Sequence, residues 1–391
     1  GGSPGARIEA NAFYEWGTSP GCNVIDLRSS YGLVSGNSFR DIGDGHCVRI
    51  GVYETDPATP VVGCVVSANT FADTEHVGVC LELYAQGVVI SGNSFVGLEQ
   101  GVKIESAGFT AFDIAITGNY FANLTLVTAF NLTGAQVTFT GNVCVDCAGG
   151  VDLGPRSVCS NNIIRNCGNL ASSIPSIRAD SAAVDCFIGG NYVENSPYRG
   201  ITLGPMAVCA CNRVVNSNSY GIQVSTTDVT VTGNTVTGGT HGIVLSSTGT
   251  NAAITGNRVS GASTANYSID GTARATALLD ITNIGYSPSA TTLALASDAI
   301  TVPRENMVVV VDTEAGAATD TLSTINTTGG GYLGQIIVLR GNSSARTVTV
   351  SDSSNIRTAG NFVLNSTEDT LTLMWNGTYW LEVSRSDNAE F

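Results

Sequence analysis

Positive charge is scarce in this chain. Of 391 residues, 17 are lysine or arginine against 32 acidic, and Lys103 is the only lysine. The net charge of −15 argues against nucleic acid and anionic membranes as partners, since both are bound through clustered cations. Long apolar runs are also missing: none approaches the ~18–20 residues that cross a bilayer, so no membrane insertion is expected. Tryptophan, methionine and histidine number three each. His46, His76 and His241 do not share metal-ligand spacing, and no GxSxG, Walker, HExxH or Rossmann pattern stands in a convincing context. Neither a metal nor a cofactor is therefore expected.

Glycine, by contrast, is abundant at 46 residues, while hydrophobic residues make up 43%. The first implies many turns and the second a large core, so the chain is not a disordered one. The opening Gly1-Gly2-Ser3-Pro4-Gly5 reads as a tag remnant or a cut, with sequence expected upstream.

A repeat organises most of the chain. The pattern apolar-x-small-Asn-x-apolar recurs as IEANAF, VSGNSF, VSANTF, ISGNSF, ITGNYF, FTGNVC, CSNNII, IGGNYV, CACNRV, VTGNTV and ITGNRV. Its marker asparagines are Asn11, Asn37, Asn69, Asn93, Asn119, Asn142, Asn162, Asn191, Asn212, Asn234 and Asn257, after which the repeat ends. The mean step of about 25 residues suits one coil of a β-solenoid. Two strands per coil are expected, one ending at the marker and one of the form Gly-apolar-x-apolar, as in GVKIES, GITLG and GIQVS. Asp41, Asp73, Asn123, Asp146, Asn166, Asn195 and Asn216 all lie four residues after a marker, where a short Asx side chain closes a turn. Stacked coils would place the markers from Asn37 to Asn257 about 4.8 Å apart in a structural amide ladder.

Of eleven cysteines, six fall in pairs at repeated registers: Cys147 and Cys167, Cys159 and Cys209, and Cys64 and Cys186. They read as reduced core thiols rather than a zinc or redox site, although Cys144 and Cys147 have CxxC spacing.

Aligning the Gly-apolar-x-apolar strands on their last apolar residue gives an outward column. It reads Asp26, Arg49, Glu82, Lys103, Asn131 and Asp152, then Thr202, Gln223 and Val244. A salt-bridge ladder is one meaning of it; a carbohydrate groove with Asp26, Arg49, Lys103, Asn131 and Asp152 binding substrate is the other. Glu105 lies two residues beyond Lys103, which places Glu82 and Glu105 roughly 8 Å apart. That separation suits the two carboxyls of an inverting glycosidase, so these are the candidate catalytic pair. Tyr53, Tyr84, Tyr198 and Tyr220 are possible stacking platforms for sugars, and Trp16 is the one tryptophan ahead of the C-terminal region.

After a polar stretch the pattern changes to TTLAL, MVVVVD, GQIIVLRG, RTVTVSD, NFVLN and DTLTLMWNGTYWLEVSRS, alternating strands of a β-sandwich with a hairpin turn at Trp375-Asn376-Gly377. The expected architecture is all-β: a right-handed parallel β-helix of about 10–11 coils over residues 1–272, a linker over 273–288, and a C-terminal β-sandwich over 289–391 that trimerises the chain or binds glycan.

GQIIVLRG followed by NFVLNSTEDTLTLMWNGTYWLEVSRS resembles the C-terminal module of bacteriophage tailspike and tail-fibre proteins, over about the last 100 residues. The resemblance implies a homotrimer of side-by-side β-helices in a virion tail, assembled in the host cytoplasm and acting outside the bacterial cell. It implies a bacterial surface polysaccharide, capsule or O-antigen, as partner, bound and often cleaved. A fibre or adhesin that binds without cleaving is the alternative; so is a polysaccharide lyase or epimerase of pectate-lyase type, since similar solenoids occur there.

Overall fold

The computed structural model describes residues 5–14, 23–43, 45–51, 60–73, 76–82, 84–104, 111–126, 130–132, 135–179, 181–270, 278–279, 283–284, 291–302, 307–327, 331 and 333–388. The chain divides into two compact units, Gly1–Ala252 with Asn257–Ile269, and Asp270–Phe391 with Ala253–Gly256.

The first unit is a right-handed parallel β-helix, the hand expected of parallel crossovers between L-amino-acid strands. Each coil contributes three strands, not the two read from the sequence. The first sheet holds the strands before the markers, from Arg7–Glu9, Leu33–Ser35 and Val65–Ser67 to Thr230–Thr232. The second holds eleven strands directly after the markers, from Ala12–Tyr14 to Arg258–Ser260. The third holds eleven more, from Ile25–Leu27 to Ala265–Ile269. The second-sheet strands are three residues long, a length too short to show a period in sequence. Such strands are held by their neighbours above and below rather than by local propensity.

The marker asparagine forms the corner between the first two sheets. From Asn11 to Asn234, each backbone N–H and each side-chain amide donates to the Oδ1 of the next marker at 2.9–3.1 Å. The amide's second N–H reaches a carbonyl of the preceding coil, as Asn142 does to Ile116 at 2.9 Å. Markers Asn37 to Asn257 are at most 2% exposed, so this ladder satisfies buried polar groups that would otherwise cost about 1–3 kcal/mol each. The repeat also runs further than its sequence motif. In the second unit, Asn283 is 2% exposed and donates to Ile254 at 2.7 Å, the bond that Asn257 makes to Val231. It escaped the motif because it lies four positions after Leu279, the partner of Ile254, where Asn257 lies three after Ile254.

Residues four after the markers take the left-handed conformation, from Asp41 (φ 51°) to Asn216 (φ 52°), as the Asx reading requires. Inside the coils, Phe13, Phe39, Phe71, Phe95 and Phe121 stack with centroids 4.6–5.0 Å apart. The column passes next to Cys144, then Ile164, through the strand register. Gly101 shows why glycine opens the third strand: a Cβ there would lie 2.7 Å from the Phe121 ring. The described cysteines are free, and all except Cys211 are buried. Burial pushes the Cys209 thiol up to about 12 and Cys159 higher still, while Cys147 and Cys167 share a hydrogen bond between neighbouring coils.

The second unit is built on a six-stranded mixed sheet. Its spatial order is Thr291–Ala294, Met307–Asp312, Ile336–Gly341, Thr370–Trp375, Trp380–Ser386 and Ile356–Arg357. Two smaller sheets complete the sandwich: Ala299–Val302 with Thr324–Thr327, and Thr319–Leu322 with Thr347–Val350 and Phe362–Leu364. Trp380 is fully buried in its core and donates its indole N–H to Ile325 at 3.2 Å. The expected hairpin is present: Asn376 accepts from the N–H groups of Thr378 and Tyr379, and Gly377 has φ 96°.

Candidate functional site on the third sheet

The third sheet carries the polar column. Its register pairs Asp26 with Arg49, Arg49 with Cys80, Cys80 with Lys103, Lys103 with Asn131, and Asn131 with Asp152. Asp152 then pairs with Arg178, followed by Thr202, Gln223, Val244 and Ser268. Two positions differ from the sequence alignment. Cys80, not Glu82, occupies the place between Arg49 and Lys103. The segment Val79-Cys80-Leu81-Glu82-Leu83 contains the apolar-x-apolar pattern twice, and pairing selects the first copy. Arg178 fills the coil that the sequence alignment passes over between Asp152 and Thr202, where an insertion over 169–185 lengthens the coil and hides the Ile177-Arg178-Ala179 strand.

The expected charge alternation is replaced by discrete pairs. Asp26 bonds Arg28 at 2.9 Å. Glu82 lies two residues past the column and reaches back to Arg49, Oε1 to Nε 2.9 Å, with both side chains nearly buried at 8% and 12% exposure. Asp152 is buried and grips Arg178 through two hydrogen bonds. The 8 Å spacing inferred for Glu82 and Glu105 assumed that Glu82 stood level with Lys103, and that premise fails. Glu105 itself lies outside the described residues, as do Trp16 and Tyr53.

Donor atoms of His46, Cys80 and Glu82 lie within 4.8 Å of one another, a set that could ligate a metal ion. Arg49 occupies the same carboxylate, and its charge opposes a cation there.

A second outward row flanks the column where each strand enters the sheet, just ahead of the bend. It holds His46 in register with Val77 and, further along, Tyr220 in register with His241. Arg199 precedes Gly200 as Tyr220 precedes Gly221. Its guanidinium lies 4.3 Å from the Tyr198 ring centroid and 5.1 Å from that of Tyr220. The Tyr220 and His241 rings meet nearly perpendicularly, centroids 5.4 Å apart. Four atoms in this region are buried without a hydrogen-bond partner: Arg199 Nε, Thr202 Oγ1, Gln223 Oε1 and His241 Nδ1. The sequence marks Tyr198 and Tyr220 as platforms, and the structure adds Arg199 between them. The signal available for it was its place one residue ahead of the bend glycine, shared with Tyr220 and His241.

The fold is thus a parallel β-helix with a polar, aromatic-flanked outer face, followed in the chain by a β-sandwich. Residues 293–381 match the phage depolymerase C-terminal beta sandwich domain, and residues 111–277 match the family of the periplasmic copper-binding protein NosD. Among solved structures, the catalytic unit of a thermostable GH87 α-1,3-glucanase from Streptomyces thermodiastaticus strain HF3-3 is similar at 15% identity and TM-score 0.46. That match covers 68% of this chain and 63% of the glucanase unit, so the chain spans less than two thirds of its length. A double mutant of the tailspike protein of E. coli bacteriophage HK620, in complex with pentasaccharide, is similar at 11% identity and TM-score 0.47, over 95% of this chain and 76% of that one. No curated protein matches the sequence. The C-terminal unit thus matches a phage depolymerase C-terminal domain over residues 293–381.

Proposed function

We propose that the third-sheet face binds a bacterial surface polysaccharide, capsule or O-antigen, and that the chain cleaves it as an endo-acting depolymerase at the outside of the cell. The observation that carries this reading is the row of polar side chains from Arg49 to Gln223, one per coil except at the buried Cys80, ending where polar atoms are buried without partners. Repeating units of a polymer can follow such a row, and hydroxyls of a sugar can complete unpaired groups. Asp26, Arg49, Lys103, Asn131 and Asp152 would contact the chain of sugars. Glu82 and Asp152 belong to levels three coil steps apart, about 14 Å, which is wider than a glycosidase pair. Glu82 with Glu105 stays the proposed acid–base pair, without the 8 Å separation first inferred for it.

One observation favours binding without cleavage. Both Glu82 and Asp152 are already engaged by arginines, which suits a scaffold for ligands more than a proton carrier. Incubating the protein with capsule or O-antigen and sizing the products separates the readings. Shortened chains establish depolymerisation, an absorbance rise from an unsaturated product would mark a lyase, and retention without shortening marks an adhesin. If no bacterial polysaccharide is retained or cut, the proposal fails.

The same reading takes the working form to be a homotrimer in a virion tail. Exposed apolar residues paired on neighbouring coils support it: Phe187 with Val208 on the first sheet, and Tyr120 and Ile163, each paired with Val143, on the second. Light scattering at the elution peak should give three times the chain mass; a monomer would remove this part.

A further inference from the structure

We propose that the cluster of Tyr198, Arg199, Tyr220 and His241, with Thr202 and Gln223 beside it, is a subsite for an acidic sugar, one bearing a carboxylate of the uronic or sialic type. The inference rests on the reading of the third-sheet face as a glycan surface and adds the chemical class of the sugar.

The argument begins with charge. A chain at −15 repels an anionic polymer unless a cation is offered locally. On the column, Arg49 is committed to Glu82 and Arg178 to Asp152. Arg199 makes no ion pair among the described residues, and its Nε has no partner. Two tyrosine rings, at 4.3 Å and 5.1 Å, hold the guanidinium in place by cation–π attraction. A guanidinium fixed in this way keeps its fork of N–H donors for a planar carboxylate, the geometry it fits in two parallel hydrogen bonds.

The surroundings fit a sugar ring attached to that carboxylate. Thr202 and Gln223 stand on adjacent coils about 4.8 Å apart, and three residues, about 10 Å, separate their column from Arg199 and Tyr220. Each has an oxygen buried without a partner, and His241 adds a ring nitrogen in the same condition. Hydroxyls donate to such acceptors once the side chains turn toward them. Tyr198 and Tyr220 supply apolar ring faces against which the C–H face of a pyranose can lie.

The full chain is titrated with sodium D-glucuronate, sodium N-acetylneuraminate and neutral D-glucose, following sugar protons by saturation-transfer NMR at low and high sodium chloride. At least one acid should bind, glucose should not, and salt should weaken the binding, because an ion pair at a partly exposed site is screened. Arg199→Gln should lower acid affinity about ten- to a hundredfold, with Arg199→Lys retaining part of it. Melting curves check that both variants are folded. Equal binding of glucose, absence of acid binding, or an unaffected Arg199→Gln would overturn the subsite. A capsule that is retained equally well after chemical reduction of its carboxyl groups would also overturn it while leaving the glycan surface standing. Loss of all polysaccharide retention would instead remove the surface itself.

Discussion

The marker corner and the third-sheet face rise through the same coils at the same spacing, yet they treat polar groups in opposite ways. At the corner, one residue type is repeated and every interior asparagine uses both amide hydrogens and its oxygen. On the face, residue type changes at nearly every step, from Arg49 through Cys80, Lys103, Asn131 and Asp152 to Thr202 and Gln223. Some of its groups are paired across strands, and others have no partner. Repetition with complete hydrogen bonding is what holds a solenoid together. Variation with incomplete bonding is what a binding surface displays before its ligand arrives. On the proposed reading, the two regions divide stability and recognition between different edges of one coil.

Substitution in the corner should produce the largest effect. Asn142→Ala removes the acceptor of both Asn119 donors and the side-chain donors to Ile116 and Asn162. Leaving two or more buried donors unpaired costs about 3 kcal/mol or more in total. Denaturant unfolding should show that loss, or the protein should fail to fold. A midpoint close to that of the unaltered chain would mean that the amide ladder is incidental and would erase the contrast between the two regions.

An intermediate effect is expected at Glu82, which lies at the margin of the face but is nearly buried. Glu82→Gln keeps a hydrogen-bond acceptor near Arg49 and removes the charge. The stability cost should be about 1–3 kcal/mol, short of unfolding. If Glu82 is the proposed general acid or base, product sizing should show cleavage reduced about a hundredfold or more while polymer retention persists. Unreduced cleavage by the folded variant would take Glu82 out of the chemistry and leave it as an ion-pair partner only.

The corner was legible in sequence because its requirement is the same in every coil. The Asn spacing predicted the ladder, the Asx residues predicted turns, and Asn376-Gly377 predicted the final hairpin. Three-residue strands were not legible, since one buried residue such as Phe39 between Ser38 and Arg40 has no period to detect. Face residues were harder for a related reason. Their identities vary, so only strand pairing could decide between Cys80 and Glu82, or reveal Arg178 behind its insertion. The Arg199 cluster joins residues of successive coils around the bend, a neighbourhood that no single strand's pattern contains.

The smallest effect, of opposite sign, should come from Thr202→Val. Thr202 sits in register between Arg178 and Gln223, and its Oγ1 is buried without a partner. Valine has nearly the same shape and an equal fit to an extended strand, so packing should change little. Removing an unsatisfied buried hydroxyl relieves its desolvation cost, so the variant should be as stable as the unaltered chain or up to about 1 kcal/mol more stable. Retention of polysaccharide should fall in the same variant, because the hydroxyl that the ligand completes is gone. Both results together would show that the face keeps a strained polar group for its ligand, as the corner never does. A destabilised Thr202→Val would mean that the hydroxyl is already satisfied in the folded chain, and the face would then be another structural ladder written in mixed residues.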